Sequence, residues 1–424
     1  MAKIKKISAR QIFDSRGVPT VEADVYLDDG AIGRFATPAG ASCGSKEALE
    51  LRDNNMDKYQ GKGVSQAVNN ISKEISQALI GHNFNQAQLD DCLIKLDGTA
   101  NKSRLGANAI LAVSGAFFHA QAHAQKLPLY QCYGEACLLP MPLVNVINGG
   151  AHANNGLDIQ EFMLVPTGAA CLSEALRCVA EIFYSLKSLL KTRGFSTAVG
   201  DEGGFAPALN NNEAALELLM IASKQAGYEP GQSVFFAMDV AANEMFDQAK
   251  QAYRVNNLYL DHLELLNWYK KLADNFPICS IEDPFHETDY HAFMLISKEM
   301  ESRMQIVGDD LFVTNIKYIQ QGIEYKYANS VLIKMNQIGT ISETLAAIGL
   351  AKKAGLNTII SHRSGETEDT TIADLAVLSA AGQIKTGSMS RSERLAKYNR
   401  LLRIEEELGN RALFNNPFHL RTST

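Results

Sequence analysis

Apolar and polar positions follow different rhythms in two parts of the 424-residue chain. Near the start, residues 4–14 and 21–27 predict two strands around the turn Ser15-Arg16-Gly17-Val18-Pro19, which Gly and Pro punctuate. Residues 30–34 predict a third strand. A loop rich in Pro, Gly and Ser follows over 37–45, and helical periodicity begins at Lys46-Glu47-Ala48-Leu49-Glu50-Leu51-Arg52. Further helices are expected over 64–80, 86–96 and 108–125. Strands followed by helices make an α+β unit. It ends near Leu127-Pro128 or the Pro140-Met141-Pro142 punctuation.

From Leu143 onward, short apolar runs alternate with helical stretches. The runs are 144–147, 159–165, 197–199, 234–238, 278–281, 305–307, 330–333, 357–360 and 383–385. Helical patterns such as 213–226, 264–275, 342–354 and 370–381 separate most of them. Repeated strand–helix units of this kind predict a barrel. Two early runs lie close together, so the first units should be hairpin-like. An open doubly wound sheet is the alternative, but no Gly-x-Gly-x-x-Gly opens a helix here. The expected architecture is α/β. An N-terminal α+β capping domain with a lid loop covers residues 1–138, and a C-terminal (β/α)8-type barrel covers 139–424.

In the second part, most apolar runs stop at an ionisable residue. Phe235-Phe236-Ala237-Met238 ends on Asp239, Cys279-Ser280-Ile281 on Glu282-Asp283, and Ile306-Val307-Gly308 on Asp309-Asp310. Leu332-Ile333 ends on Lys334, Ile359-Ile360-Ser361 on His362-Arg363, and Gln383-Ile384 on Lys385. The earlier Ala198-Val199-Gly200 ends on Asp201-Glu202. From Asp239 the steps are 43, 27, 25, 28 and 23 residues, roughly one βα unit each. A single charge after a strand is ordinarily a loop residue. A series in sequence order instead predicts side chains converging on one barrel mouth.

Asp239, Glu282 and Asp309 then read as carboxylate ligands for a hard cation, Mg²⁺ before others. Zinc would call for a His or Cys set at ligand spacing. His119 and His123 are four apart on an expected helix but have no third ligand nearby, so a plain surface role is expected. Lys334 and Lys385 follow late strands; beside a divalent cation the neutral form of a lysine is favoured, which prepares a general base. Arg363, Ser364 and Gly365 form a polar turn suited to an anionic oxygen cluster such as phosphate. Glu202, in Gly200-Asp201-Glu202-Gly203-Gly204, is the complementary acid. Gly40-Ala41-Ser42-Cys43-Gly44 fits a nucleophile elbow by letter, but Thr37-Pro38-Ala39 is no apolar strand; a Gly-rich lid is the better reading. Gly149 to Gly156 reads as a second mobile loop, with His152 either a loop anchor or a site residue.

Composition narrows the class. With 46% hydrophobic, 8% aromatic and 21% charged residues, the chain is an ordinary globular one, neither disordered nor collagenous. Acids outnumber bases by 47 to 40, the wrong sign for a dominant nucleic-acid footprint, and no nucleic-acid motif stands out. No apolar run is long enough for a membrane span, and no apolar core follows the basic residues 1–10, so no secretory leader is expected. The seven scattered cysteines predict reduced thiols in the cytoplasm.

Several segments resemble the enolase (phosphopyruvate hydratase) family in its bacterial form, nearly end to end. They are Ser280-Ile281-Glu282-Asp283-Pro284-Phe285, Lys334-Met335-Asn336-Gln337-Ile338-Gly339, residues 361–370, Gly200 to Gly204, and Arg391-Ser392-Glu393-Arg394-Leu395-Ala396-Lys397. The resemblance implies a glycolytic lyase: reversible Mg²⁺-dependent dehydration of 2-phosphoglycerate to phosphoenolpyruvate through an enolate (aci-carboxylate). In it, Lys334 would take the proton α to the carboxylate and Glu202 would protonate the leaving hydroxyl. Asp239, Glu282 and Asp309 would hold one Mg²⁺. A second Mg²⁺ would arrive with substrate and bridge its phosphate to Ser42. Arg363 and Ser364 would take the phosphate, Lys385 the carboxylate, and Gln160, Glu161, His152 and His362 would complete the pocket. The family also implies a homodimer or octamer, association with an RNA-degrading complex in some bacteria, and display on the cell surface or secretion in some members. Cys43 stands where the family usually has Thr, Val18 where Asn is common, and Ala100 where Pro or Glu is common.

The rivals explain less. A barrel enzyme for sugar acids or muconates leaves Arg363, Ser364 and the Ser42 lid without a use. A serine hydrolase at Ser42 lacks its strand. An adhesive protein that has lost catalysis does not need three acids and two lysines in series.

Overall fold

The computed structural model describes residues 2–40 and 44–418, so the Ser42 and Cys43 of the expected lid lie outside the described residues. Strands β1 (Ala2–Phe13), β2 (Pro19–Leu27) and β3 (Ile32–Ala36) form an antiparallel meander, with β4 (Asn83–Phe84) on the free edge of β1. Along β2, Val21, Ala23, Val25 and Leu27 are buried. This period of two aims one sheet face at the helix Ala107–Ala124, itself buried over most of its length. The approach is close: a Cβ on Gly115 would sit 2.4 Å from Phe35 Cγ, so only glycine lets β3 lie on this helix.

The helix expected at Lys46–Arg52 does not form. The backbone groups of this segment are bonded elsewhere. Ala48 N donates to Gln337 O and Leu49 N to Asn101 O at 2.8 Å each, while Leu51 N donates to the Asn108 side chain at 3.1 Å. Tertiary bonds to the barrel and to the central helix therefore outcompete local propensity. Glu47 instead sits in a turn, its N donating to Gly44 O at 3.1 Å, and its side chain lines the barrel mouth.

The second part closes into an eight-stranded barrel in sequence order: Met141–Asn148, Glu161–Val165, Phe235–Asp239, Ile278–Glu282, Gln305–Gly308, Ser330–Ile333, Asn357–Ser361 and Gly382–Lys385. Every neighbouring pair is parallel except those that include Glu161–Val165, which runs against both partners. The first units are thus hairpin-like, as expected. The reversal has a chemical consequence. Glu161 begins its strand yet lies in register with Asn148 and Asp239, so its side chain is delivered to the same mouth as the C-terminal ends of the others.

The strand expected over 197–199 is reduced to one bridge, Val199 to Phe205. Its remaining residues are irregular because Gly200 and Gly204 close a tight turn, with Gly200 N donating to Gly204 O at 2.9 Å. Gly203 there takes φ +87°, and a Cβ on Gly204 would lie 2.0 Å from Asn148 Oδ1. The turn can press Glu202 against the barrel only because both residues after it are glycine. Inside the barrel, Met141, Leu143, Met163, Val165, Ala237, Cys279, Val307, Leu332 and Ile359 form an apolar plug, with Phe418 packed against it.

Candidate active site

One pocket opens at the barrel mouth. Its lining includes His152, Gln160, Glu161, Glu202, Asp239, Asp309, Lys334, His362, Arg363, Ser364 and Lys385, together with Glu47, Asp283 and Asp310. The residues expected from sequence are therefore brought together, apart from Glu282, which joins them through Lys385, and Ser42, which lies outside the described residues.

Lys385 Nζ bonds Asp239 Oδ2 at 2.8 Å and both Glu282 oxygens at 2.9 and 3.0 Å, and stands 3.2 Å from Glu161 Oε1. Burial alone would strip its proton, but the surrounding Asp239, Glu161 and Glu282 outweigh it and hold the ammonium firmly charged. Burial and the nearby Glu202 charge push the Glu161 carboxyl well above its ordinary range. Gln160 Nε2 lies 3.4 Å from Asp239 Oδ2.

On the next side of the ring, Lys334 Nζ bonds Asp309 Oδ2. Burial disfavours this ammonium too, yet Asp309 and Glu282 hold it protonated. The neutral lysine expected from the sequence would need a divalent cation on those same carboxylates to reverse the balance. Asp309 is fixed by Gln337 Nε2 at 2.8 Å, and Gln337 by Thr314 Oγ1, also at 2.8 Å. Asp283 receives the backbone N–H groups of Asp309 and Asp310 at 2.9 and 2.8 Å, and does so from a left-handed backbone, φ +41°. A non-glycine residue held there stores strain at the site. Burial and Asp309 push Asp310 up to about 7.

Glu202 is buried on the opposite flank. Asn145 Nδ2 donates to its Oε2 at 3.1 Å, and the same oxygen is 3.4 Å from His362 Nε2 and 3.8 Å from His152 Nδ1. Burial opposes its charge, but His362, His152 and the Arg394 guanidinium outweigh burial and hold the carboxyl well below the usual range. At the rim, the Arg363 guanidinium meets Glu47 at 2.9 and 3.3 Å, and Ser364 Oγ is 3.5 Å from His152 Nε2.

The donor chemistry suits a hard divalent cation. Among the described residues, carboxylate oxygens of Asp283, Asp309 and Asp310 lie within 4.8 Å of one another, as do ligand atoms of His152, Glu161 and Glu202. Asp309 is common to the first group and to the three acids read from sequence, while Asp239 and Glu282 are held on Lys385. The lysine ammonium groups stand among these carboxylates as a cation would. The Asp283, Asp309 and Asp310 group offers only oxygen donors, with no thiolate, the donor type of a hard cation. His119 and His123 do not form a metal site: His119 Nε2 bonds Thr371 Oγ1 at 2.7 Å and His123 Nδ1 bonds Ile32 O at 2.5 Å.

Sequence reasoning missed Asn145, Glu47 and Arg394, and placed Asp283 at the mouth without giving it a role. Asn145 sits inside an apolar run, and a lone buried Asn in a strand was the available signal. Arg394 lies in a segment read only as a family signature; its signal was a cation placed among apolar helix positions, three before Lys397.

A closed barrel with acids, lysines and an arginine turn at one mouth is the arrangement of an α/β-barrel enzyme. A family model described as the enolase C-terminal TIM barrel domain matches residues 136–421, and one described as the enolase N-terminal domain matches residues 4–133. The chain belongs to the enolase family and is a lyase of that superfamily. Among the described residues, no helix is long and apolar enough to cross a membrane.

Proposed function

We propose that the chain catalyses the reversible dehydration of 2-phosphoglycerate to phosphoenolpyruvate and water. The observation that carries this reading is one pocket lined by a half-buried amine and a buried carboxylate held by separate partners, Lys334 on Asp309 and Glu202 on Asn145. A base and an acid that do not neutralise one another can act at two neighbouring carbons. In the reaction, the C–H bond α to the carboxylate breaks and its proton passes to Lys334. The electron pair is first held on the carboxylate as an enolate; it then forms the new double bond, and the C–O bond at the next carbon breaks. Glu202 gives its proton to the departing hydroxyl, which leaves as water.

Arg363 and Ser364 offer donors for the phosphate oxygens, and Lys385 is assigned to the substrate carboxylate. An anionic substrate beside Glu202 raises that carboxyl's proton affinity, which prepares it as the acid. Mg²⁺ held by Asp239, Glu282 and Asp309, and a second ion arriving with substrate, would offset the negative charge gathered on the carboxylate as the α-proton leaves. The family supports the substrate pair. Absorbance of phosphoenolpyruvate, followed with 2-phosphoglycerate and Mg²⁺ and again in excess EDTA, tests the reading. Turnover should need the ion; no product under either condition overturns it.

A further inference from the structure

The helix Ser392–Leu408 supplies a cation that the reaction above does not use. Arg394 is completely buried. Its Nη1 lies 2.6 Å from His362 Nδ1 and donates to Arg363 O at 2.6 Å. Its Nη2 donates to Ser364 O at 2.5 Å, Asp201 O at 3.1 Å and Ser15 Oγ at 3.4 Å. One guanidinium thus ties the turn carrying Glu202 to the turn carrying His362, Arg363 and Ser364.

A guanidinium has five N–H donors and no acceptor. An imidazole nitrogen 2.6 Å from it must therefore be the unprotonated one. With Nδ1 accepting, the single ring proton of neutral His362 lies on Nε2, the nitrogen 3.4 Å from Glu202 Oε2. We propose that Arg394 is a positioning residue for proton transfer at Glu202: it locks His362 as the Nε2–H tautomer, which can donate toward Glu202 but cannot accept its proton. In the opposite tautomer, a bare Nε2 would draw the Glu202 proton away from the leaving hydroxyl. The groups facing His362 are Glu202, Arg394 and Glu366, and burial with the Arg394 charge keeps the ring neutral, its pKa pushed down to about 4. The inference rests on Glu202 being the acid of the proposed reaction.

The test begins with the wild-type protein labelled with ¹⁵N-histidine, with His362→Gln used to assign the signal. At neutral pH, His362 should show a bare Nδ1 and a protonated Nε2. A protonated Nδ1 overturns the proposal, and this outcome needs no variant to fold. Arg394→Met should then shift the ring toward the Nδ1–H form and cut turnover about 10²-fold, while exchange of the substrate α-proton stays measurable. In the His362→Gln background, Arg394→Met should add less than about threefold, as expected for residues acting through one another. An equal loss in both backgrounds means that Arg394 serves only the fold and overturns the proposal. The spectrum does not depend on the substrate, so its failure is separate from a failure to form phosphoenolpyruvate.

Discussion

Lys385 and Glu282 end strands that lie four places apart around an eight-stranded ring, directly across the barrel, yet the Lys385 ammonium bonds both Glu282 oxygens at 2.9 and 3.0 Å. One lysine therefore spans the mouth and is shared by acids from three strands, Glu161, Asp239 and Glu282. Its removal leaves buried carboxylates without their counter-charge.

Lys385→Met should accordingly lose activity and, without metal, lose several kcal/mol of stability, since breaking a buried pair typically costs about 3–5 kcal/mol. Mg²⁺ should restore part of it. Thermal unfolding with and without Mg²⁺ checks this, and the rise in Tm on adding the ion should be larger in the variant than in the parent, because the ion then supplies the missing positive charge.

A second buried pair lies behind the arginine turn. Lys397 Nζ stands 2.8 Å from Glu366 Oε2 and donates to Thr367 O at 2.6 Å, while Glu366 Oε1 accepts Arg363 N at 3.1 Å. Glu366→Gln should destabilise the protein by about 3–5 kcal/mol by stranding the Lys397 charge. Glu366→Gln with Lys397→Met should recover much of the loss. Denaturant unfolding of the parent and the two variants measures both.

His362 makes stability fall on mild acidification. Burial lowers its folded pKa to about 4, against about 6.5 in an unfolded chain, so between these values the unfolded state binds more protons. The contribution is complete above pH 6.5 and is lost as pH falls toward 4, by about 1.4 kcal/mol per pH unit. Tm measured from pH 7 to pH 4.5 should fall less steeply in His362→Gln than in the parent.

Much of the barrel was legible because its strands end on chemistry. Asp239, Glu282, Lys334 and Lys385 punctuate apolar runs at βα spacing, and each terminates or directly follows a barrel strand. Residues whose position depends on distant chain were not legible. Lys46–Arg52 has a helix former's sequence, but Gln337, Asn101 and Asn108 claim its backbone. Val199 belongs to a run that resembles a strand, yet the Gly200–Gly204 turn leaves it one bridge. The hairpin-like first units were legible from the closeness of two apolar runs, but not the register that pairs Glu161 with Asn148 and Asp239 and so brings it to the mouth. Arg394 lies 32 residues from the His362 that it orients, and only the packed helix brings them together.

Asp309→Asn removes a formal charge while keeping the shape, so it should weaken Mg²⁺ dependence and cut activity at least about 10²-fold. It should also free Lys334, whose side chain Asp309 now binds. Activity titrated against Mg²⁺ in the parent and the variant separates the two, since a purely structural change would lower the plateau without moving the midpoint.

In the proposed reaction, Lys334 takes the α-proton and Glu202 serves the leaving hydroxyl. Exchange of the α-proton of 2-phosphoglycerate with deuterated solvent, followed by proton NMR alongside turnover, tests it most directly. Lys334→Ala should abolish both exchange and turnover. Glu202→Gln should block turnover while exchange continues, because the proton can still leave and return. If Lys334→Ala exchanged the proton at the parent rate, the base would be another group and the account would be contradicted.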